Sequence, residues 1–422
     1  MPLESQEVPV NDNIQVAGMP ASAQLSNGQY AEFSKAAHDQ LLEMFKDEIV
    51  PGPLNGMVVF SLEQQICGPF ASRLLAGRGA LVIKAEPEVG DSKRHNSSPN
   101  TFGTFNVGKK SITLGRDPQS EQLKSYMLHA ADVVIDNRSH NARTHDKVLR
   151  DFFTVNHTKP KIYTVISGYG KDDPRIAYDR SIQAAAGYVD LNGGKAIPNS
   201  PTDMMVGSMA AVEILSHWSW LSGNLSPAEK DKLSQHHNIV VCDLPMINVA
   251  MFSAMNQVMT HEDNGTKNSS IVPYGYFDTQ DGRVAIAIGT DAQFKLFCEI
   301  IGVPKLAEQY PTNEIRRQNQ EIVESTIQER TRLHSTAEWV YSLQDQPFAS
   351  APVVTFEEAI KKSPGLVTLP SGGKYMATGI NSNMFPNQGL LSPAPKLGEH
   401  TASISSALHT LVASASRLFA FH

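Results

Sequence analysis

Apolar residues along the chain form short continuous runs that alternate with segments of helical periodicity. The runs, each of strand length, are Met57–Phe60, Ala80–Lys84, Val133–Ile135 and Ile162–Ile166. The segments with helical spacing are Phe70–Ala76, Gln122–His129 and Val148–Phe153. Strands that alternate with helices in this order are typical of βαβ units, whose strands are parallel. The pattern therefore predicts an α/β fold with a doubly wound parallel sheet.

The pattern changes twice after this α/β region. From Asp203 to Leu221 apolar residues occupy nearly every face of a helix, which predicts a helix buried on all sides. Farther on, two apolar runs flank a turn at Asp281-Gly282 and predict an antiparallel hairpin. These changes divide the chain into the following predicted parts: an N-terminal extension (1–53, a polar tail plus a helix at Tyr30–Ile49), a large domain (54–225), a linker (226–270), a small α+β domain (271–370) and a further segment (371–422).

Composition narrows the classes of partner. The 422 residues include 36 Lys+Arg against 43 Asp+Glu, so the net charge of −7 provides no cationic surface for nucleic acid. An apolar run of about 18 residues is missing and the chain begins with a polar segment, which predicts neither a membrane span nor a signal peptide. The scattered cysteines Cys67, Cys242 and Cys298 indicate neither a disulfide framework nor a thiolate metal site. A reducing compartment, the cytoplasm, fits best.

The first βαβ unit is a candidate binding site for a dinucleotide cofactor. Its second strand reaches Glu86 about 20 residues after a glycine-containing turn, as in ribose-binding units. The turn, Gln64 to Ala71, lacks the GxGxxG glycines that let backbone approach a pyrophosphate, so we expect neither NAD nor flavin. The closely spaced histidine pairs are weak metal candidates, and we expect no metal: His140 with His145, and His236 with His237.

Two aspartates are the remaining candidates for chemistry. Asp203 stands in the first turn of the apolar helix, where free amides and the helix dipole favour an anion. From spacing alone it is either a helix cap or a carboxylate nucleophile, held ionised by those amides and able to form an acyl intermediate. Asp179 lies in a loop after the strand at Ile162–Ile166, and is either a ligand-facing group or the cap of a helix starting at Ser181.

Several segments together resemble the class III CoA-transferase family, which includes formyl-CoA and carnitine CoA-transferases and the α-methylacyl-CoA racemases. The resemblance begins near Leu54 and continues through the rest of the chain. The segments that carry it, in the order of the family, are Cys67-Gly68-Pro69, Gly79–Pro87, Gly90-Asp91, Asn106–Ser111, Ile166–Gly170, Tyr178-Asp179, Pro273–Phe277, Ala337–Trp339, Ala351–Val353 and Leu397–Thr401.

The resemblance implies a Rossmann-like large domain that the 371–422 segment completes, a smaller α+β domain and an interlocked homodimer. It implies that Asp203 attacks an acyl-CoA thioester and that coenzyme A then moves to a carboxylic acid, with no metal or redox cofactor. The residues it places against substrate and CoA are Tyr178, Asp179, Ile66, Cys67, Asn106, Lys109, Asn137, Arg138 and Gly168. The acidic balance does not exclude CoA, whose phosphates need only local positive groups such as Lys84, Lys109 or Lys110.

Two other functions remain open. The racemase branch is similar but has a histidine immediately before the loop aspartate, where this chain has Tyr178. A tyrosine, whose pKa is ordinarily about 10, is poorly suited to exchanging an α-proton near neutral pH, so the sequence favours CoA transfer over racemisation or lyase chemistry. A catalytically silent CoA-binding protein is the other alternative.

Overall fold

The computed structural model of the chain describes residues 27–95, 99–258, 270–363, 366–368, 374–377, 384 and 391–419. Its largest sheet contains six strands: β1 (Val58–Leu62), β2 (Leu81–Pro87), β3 (Lys110–Leu114), β4 (Val133–Asp136), β5 (Lys161–Ser167) and β6 (Ile239–Pro245). All neighbouring strands are parallel, in the order β3-β2-β1-β4-β5-β6. This is the doubly wound α/β sheet that the apolar runs predict, and the order reverses between β1 and β4.

Helices connect the strands and make up most of the remaining described structure. In the large part of the chain they are α1 (Asn27–Phe45), α2 (Cys67–Ala76), α3 (Pro99–Asn106), α4 (Pro118–Ala130), α5 (His140–Thr144), α6 (Lys147–Thr154), α7 (Asp179–Ala185), α8 (Tyr188–Leu191), α9 (Pro201–Leu221), α10 (Pro227–Gln235) and α11 (Met246–Val258), with a 3-10 turn at Ser92–Arg94. No helix among the described residues combines the length and the apolar character that crossing a bilayer requires.

The first helix belongs to the main core. Tyr30, Phe33, Leu41 and Phe45 of α1 are buried in the same hydrophobic cluster as strands β1 and β2. Apolar residues at this helical spacing form one continuous face, which explains why the helix packs against the sheet. The predicted helix is therefore present, but its assignment to an extension outside the large domain is wrong.

Two compact units divide the chain. The first lies within Met1–Ile182, Asn199–Ala250 and Pro364–His422, and the second within Gln183–Pro198 and Met251–Ser363. The segment predicted as a linker at 226–270 instead contains β6, which pairs with β5 along its whole length in the six-stranded sheet.

The second unit has its own sheet and core. Strands β7 (Tyr274–Asp278) and β8 (Arg283–Ala287) form the antiparallel hairpin that the sequence predicts, and β9 (Ala349–Pro352) pairs with β8. Its helices are α12 (Asp291–Ile300), α13 (Pro304–Gln309), α14 (Asn313–Gln318), α15 (Gln320–Thr331), α16 (Thr336–Leu343) and α17 (Phe356–Lys362). Phe294, Phe297 and Ile327 are fully buried in its core.

The described residues from 366 onward belong to the first unit again. Short strands β10 (Leu366–Thr368) and β11 (Lys374–Met376) pair with each other, and helix α18 spans Thr401–Phe419. The backbone of His400 donates to the carbonyl of Ser111 at 2.9 Å, beside β3. Ile404 and Leu408 are buried in the same core as α1.

Candidate active site

The turn between β1 and α2 lies at the switch point of the sheet, where ligands of such folds bind. Gln65 adopts a left-handed backbone conformation with φ of 69°, and α2 begins two residues later at Cys67. Asn137, which follows β4, accepts a hydrogen bond from the backbone of Gln64 and donates to its carbonyl, both at 2.8 Å. Its amide also donates to Cys67 Sγ at 3.3 Å. Asn137 therefore fixes the turn and the thiol together.

Helix α9 crosses directly over this turn. A Cβ added at Gly207 would stand 2.6 Å from the carbonyl oxygen of Cys67, so only glycine permits the observed approach. Asp203 lies one helical turn before Gly207, which brings its carboxyl group close enough to Cys67 for the thiol to donate a hydrogen bond to it. The spacing from Asp203 to Gly207 thus sets the height of the carboxylate above the α2 N-terminus.

Substituting Gly207 by alanine is expected to lower the kcat of a reaction that uses Asp203 at least about tenfold, because the added methyl group forces α9 away from Cys67 and displaces Asp203. We expect a destabilisation of about 1–3 kcal/mol, measured by chemical denaturation. Gly103→Ala is the matched control, since its Cβ would meet nothing within 4 Å. Full activity in Gly207→Ala would contradict this role of the close approach.

Burial determines the charge state of Asp203. Burial, together with the negative charge of Asp179, raises the pKa of this carboxyl group to about 7, although Lys93 and the Cys67 hydrogen bond act in the opposite direction. The expectation that helix amides hold Asp203 ionised is therefore wrong. A desolvated carboxylate that titrates near neutral pH is instead a reactive one.

Asp179 has the capping role that the sequence left open for Asp203. Its Oδ1 accepts hydrogen bonds from the backbone amide of Thr202 at 3.0 Å and from the Thr202 hydroxyl at 2.6 Å. The α9 N-cap position, Ser200, makes no side-chain capping bond. Asp179 thus satisfies the first turn of α9 from a different segment, which leaves Asp203 available for chemistry.

Two residues expected at the CoA site lie beneath the turn. The Lys109 ammonium is fully buried and donates to Glu63 Oε1 at 2.8 Å and to the Pro69 carbonyl and Asn106 Oδ1 at 2.9 Å. The Asn106 amide in turn donates to the carbonyl of Phe102 at 3.0 Å. With three internal acceptors and no exposed surface, Lys109 supports the turn and is not placed to contact a phosphate.

The other cations named for CoA are also paired within the chain. Lys84 is fully buried and bonds Asp91 at 2.9 Å, and Lys110 pairs with Glu48. Arg138 follows Asn137 but bonds Asp136 at 2.7 Å and Asp146 at 2.8 Å. The structure therefore does not support direct phosphate binding by Lys84, Lys110 or Arg138.

The remaining predicted residues surround the loops of the site. Ile66 is the N-cap residue of α2 and is partly exposed, and Tyr178 is 63% exposed beside Asp179. Gly168 directly follows β5, and a Cβ there would stand 2.3 Å from that of Ala177. Of the predicted set, the structure brings Cys67, Asn137, Asp179 and Asp203 together.

Sequence reasoning missed Lys93. It lies in the 3-10 turn at Ser92–Arg94, and its positive charge acts on the Asp203 carboxyl group. The nearby Gly90-Asp91 pair marks the segment as part of the family pattern, but spacing alone could not indicate which way a surface lysine faces.

Comparison with known proteins agrees with this fold. The family model described as CoA-transferase family III matches residues 54–401. The chain therefore belongs to CoA-transferase family III and is an enzyme of that family.

Particular relatives add detail. The chain is 27% identical to the succinate–glutarate CoA-transferase of Agrobacterium fabrum over 85% of this chain and 96% of that protein. It is 28% identical to the succinyl-CoA:glutarate CoA-transferase of Mus musculus over 83% of this chain and 85% of that protein. A crystal structure of a CAIB/BAIF family protein from Brucella suis matches with a TM-score of 0.70 at 24% identity, covering 85% of this chain and 100% of that one, which supports the fold.

Proposed function

We propose that the protein transfers coenzyme A from an acyl-CoA donor to a carboxylic acid acceptor, with Asp203 as the nucleophile. The observation that carries the proposal is the position of the partly buried Asp203 carboxyl group over the N-terminus of α2, beside the Cys67 thiol, where desolvation raises its pKa to about 7. A buried carboxylate with few hydrogen bonds is a stronger nucleophile than a hydrated one.

The proposed reaction conserves the thioester bond energy in two exchanges. The Asp203 carboxylate attacks the donor carbonyl, its C–O bond forms, the C–S bond breaks, and CoA leaves as the thiolate. The thiolate then attacks the Asp203 carbonyl, forming an aspartyl-CoA thioester and releasing the donor as a carboxylate. The acceptor carboxylate attacks this thioester, and the released thiolate attacks the acceptor carbonyl, which regenerates ionised Asp203.

The names of two relatives suggest the class of acid that this protein uses. The two curated relatives are named for succinate and glutarate, which each carry two carboxylates, and we propose an acceptor of that class. We propose that the acyl-CoA substrate binds beside Cys67, Ile66, Tyr178 and Gly168. We propose that the reaction uses no metal, NAD or flavin. A cytoplasmic location stays a prediction.

We also propose that the chain forms the interlocked homodimer implied by its family. Helix α9 was predicted to be buried on all sides, yet in one chain it buries a single face, while Val212 is 53% and Trp220 37% exposed. A second copy covering these side chains would reconcile the apolar sequence with the structure. The molar mass in solution, from light scattering, tests it.

Transfer is expected to depend on pH through Asp203. Because only the ionised carboxylate attacks, kcat/KM should fall about tenfold per pH unit below about pH 7 and level off above it. Asp179→Asn removes a like charge and should move the midpoint of the pH–kcat/KM profile to lower pH. Asp173→Asn, which changes a partly exposed loop aspartate paired with Arg175, should leave the midpoint unchanged. An unmoved midpoint in Asp179→Asn would contradict the electrostatic role of that residue.

Trapping the acyl enzyme tests the function. The protein is incubated separately with succinyl-CoA and acetyl-CoA, quenched with hydroxylamine, and digested for mass spectrometry. We expect a hydroxamate at Asp203 and none in Asp203→Asn. Absence of any adduct, together with exchange of the acyl-CoA α-proton in heavy water, would favour a racemase instead. CoA binding with neither result would indicate a silent CoA-binding protein.

A further inference from the structure

The 3-10 turn at Ser92–Arg94 is held rigidly at the active site. Asp91 accepts a hydrogen bond from the Lys93 backbone amide at 3.0 Å, and its own amide donates to Glu86 Oε2 at 3.1 Å. Gln65, in the turn that leads to Cys67, donates its side-chain amide to the hydroxyl of Ser92. These bonds fix the backbone on both sides of Lys93 relative to the β1–α2 turn.

The cations around this turn differ in how they are used. Lys84 is neutralised by Asp91, and Arg94 bonds Glu86 at 2.7 Å with its guanidinium 3.6 Å from the centre of the Phe102 ring. The ammonium of Lys93, by contrast, has no acidic or carbonyl partner among the described residues, although the side chain is partly buried. The fixed backbone therefore holds the Lys93 ammonium where no acidic or carbonyl group among the described residues pairs with it.

That charge acts on the Asp203 carboxyl group, which also has a second negative group, Asp179, near it. Lys93 acts electrostatically on Asp203, and Asp179 acts on the same carboxyl group with the opposite sign. A substrate carboxylate entering here is repelled by both aspartates unless a cation receives it. A partly desolvated ammonium is suited to this, because a charge-assisted hydrogen bond strengthens where water is excluded.

We propose that Lys93 binds the second, non-reacting carboxylate of a dicarboxylic acid substrate and so determines the preference for such acids. The inference rests on the proposed function, in which the first carboxylate reacts at Asp203. Lys93 holds the far end of the acid or of its CoA thioester while the near end reacts. It forms no covalent bond, and no proton has to move.

The experiment compares acids that differ by one carboxylate. Steady-state kinetics are measured for succinate against butyrate and for glutarate against valerate, as acceptors or as competitive inhibitors, in the full-length enzyme and in Lys93→Met. We expect the KM or Ki of the two dicarboxylates to rise about 10–100-fold, with butyrate and valerate changed less than about threefold. Lys93→Arg should retain most of the preference. Lys35→Met, which removes an 83% exposed lysine of α1, is the control.

Donors and labelling separate the possible outcomes. Succinyl-CoA should lose affinity in Lys93→Met, while the KM of acetyl-CoA and the inhibition constant of free CoA stay unchanged. If the KM of acetyl-CoA and the inhibition constant of free CoA rise in parallel, Lys93 binds a CoA phosphate and the proposal is overturned. Unchanged constants for all acids in Lys93→Met would also overturn it. So would a wild-type enzyme that binds neither succinate nor glutarate. Hydroxamate formation at Asp203 from acetyl-CoA should persist in Lys93→Met. Its absence in the wild-type enzyme would count against the proposed function itself.

Discussion

Replacing Asp203 by asparagine is expected to reduce CoA transfer by about 10⁴-fold or more, because the amide has the shape of the carboxyl group but cannot form the acyl intermediate. Transfer is measured by following the new acyl-CoA chromatographically. Asp190→Asn, which changes an exposed aspartate outside the site, should retain full activity.

The same variant separates catalysis from folding. The folded-state pKa of Asp203, about 7, lies above its ordinary value of 3.8, so the folded protein binds more protons between these values. Its contribution to stability is therefore present at low pH and is lost as pH rises towards 7. Asp203→Asn cannot ionise, and its melting temperature at pH 8 should equal or exceed that of the wild type. Lower stability with residual activity would contradict the assignment of Asp203 as a nucleophile.

Acid is expected to destabilise the large unit steeply through a buried histidine pair. The hydroxyl of Tyr30 bonds Nδ1 of both His129 and His157, and His157 Nε2 donates to the Phe152 carbonyl at 3.1 Å. Burial, with the charge of Lys161, lowers the pKa of His157 to about 3 and that of His129 well below its ordinary value. The charge of protonated His157 also lowers the pKa of His129, and that of His237 lowers the pKa of His157.

The sign of this effect follows from proton uptake. Both histidines are neutral in the folded protein and take up protons on unfolding once the pH falls below about 6.5. Each then contributes a loss of about 1.4 kcal/mol of unfolding free energy per pH unit, down to about pH 3 for His157. Urea unfolding between pH 8 and pH 4 measures the slope.

Variants of the cluster identify its source. His157→Gln keeps a donor for Phe152 but does not titrate, and the slope should decrease by up to about 1.4 kcal/mol per pH unit. Tyr30→Phe removes the hydroxyl that bonds both imidazoles, so the free energy of unfolding at pH 8 should fall by about 1–3 kcal/mol. His334→Gln, at a 55% exposed position, should change neither quantity. An unchanged slope in His157→Gln would show that other groups carry the acid sensitivity.

Alternating apolar runs and helical segments sufficed to predict the parallel sheet, because buried strands in such folds are continuously apolar. They did not reveal that α1 belongs to the core. A single amphipathic helix can pack on any apolar surface, and its partners, such as His129, lie about a hundred residues away in sequence. Sequence pattern also does not reveal that β6 pairs with β5. Polar residues flank the short apolar run of β6, so the segment was predicted to be a linker.

The site was predictable in part. The position of Asp203 in the first turn of α9 is a local feature, so the sequence could indicate it, and the structure adds the close approach of α9 to Cys67 at Gly207. The roles of Lys109 and Lys93 could not be separated in this way. Both are lysines close to family motifs, and only the three-dimensional arrangement shows that one ammonium is enclosed by three acceptors while the other is unpaired among the described residues.

The position of α18 affects how the molecule is made. Ile404 and Leu408 complete a core whose first helix starts at Asn27, so translation must proceed through nearly the whole chain before that surface is covered. At ribosomal rates of about 5–20 residues per second, the apolar face of α1 and the edge of β3 stay open for tens of seconds. During this interval the nascent chain exposes an apolar surface, and we expect chaperones that bind apolar segments during synthesis to bind it.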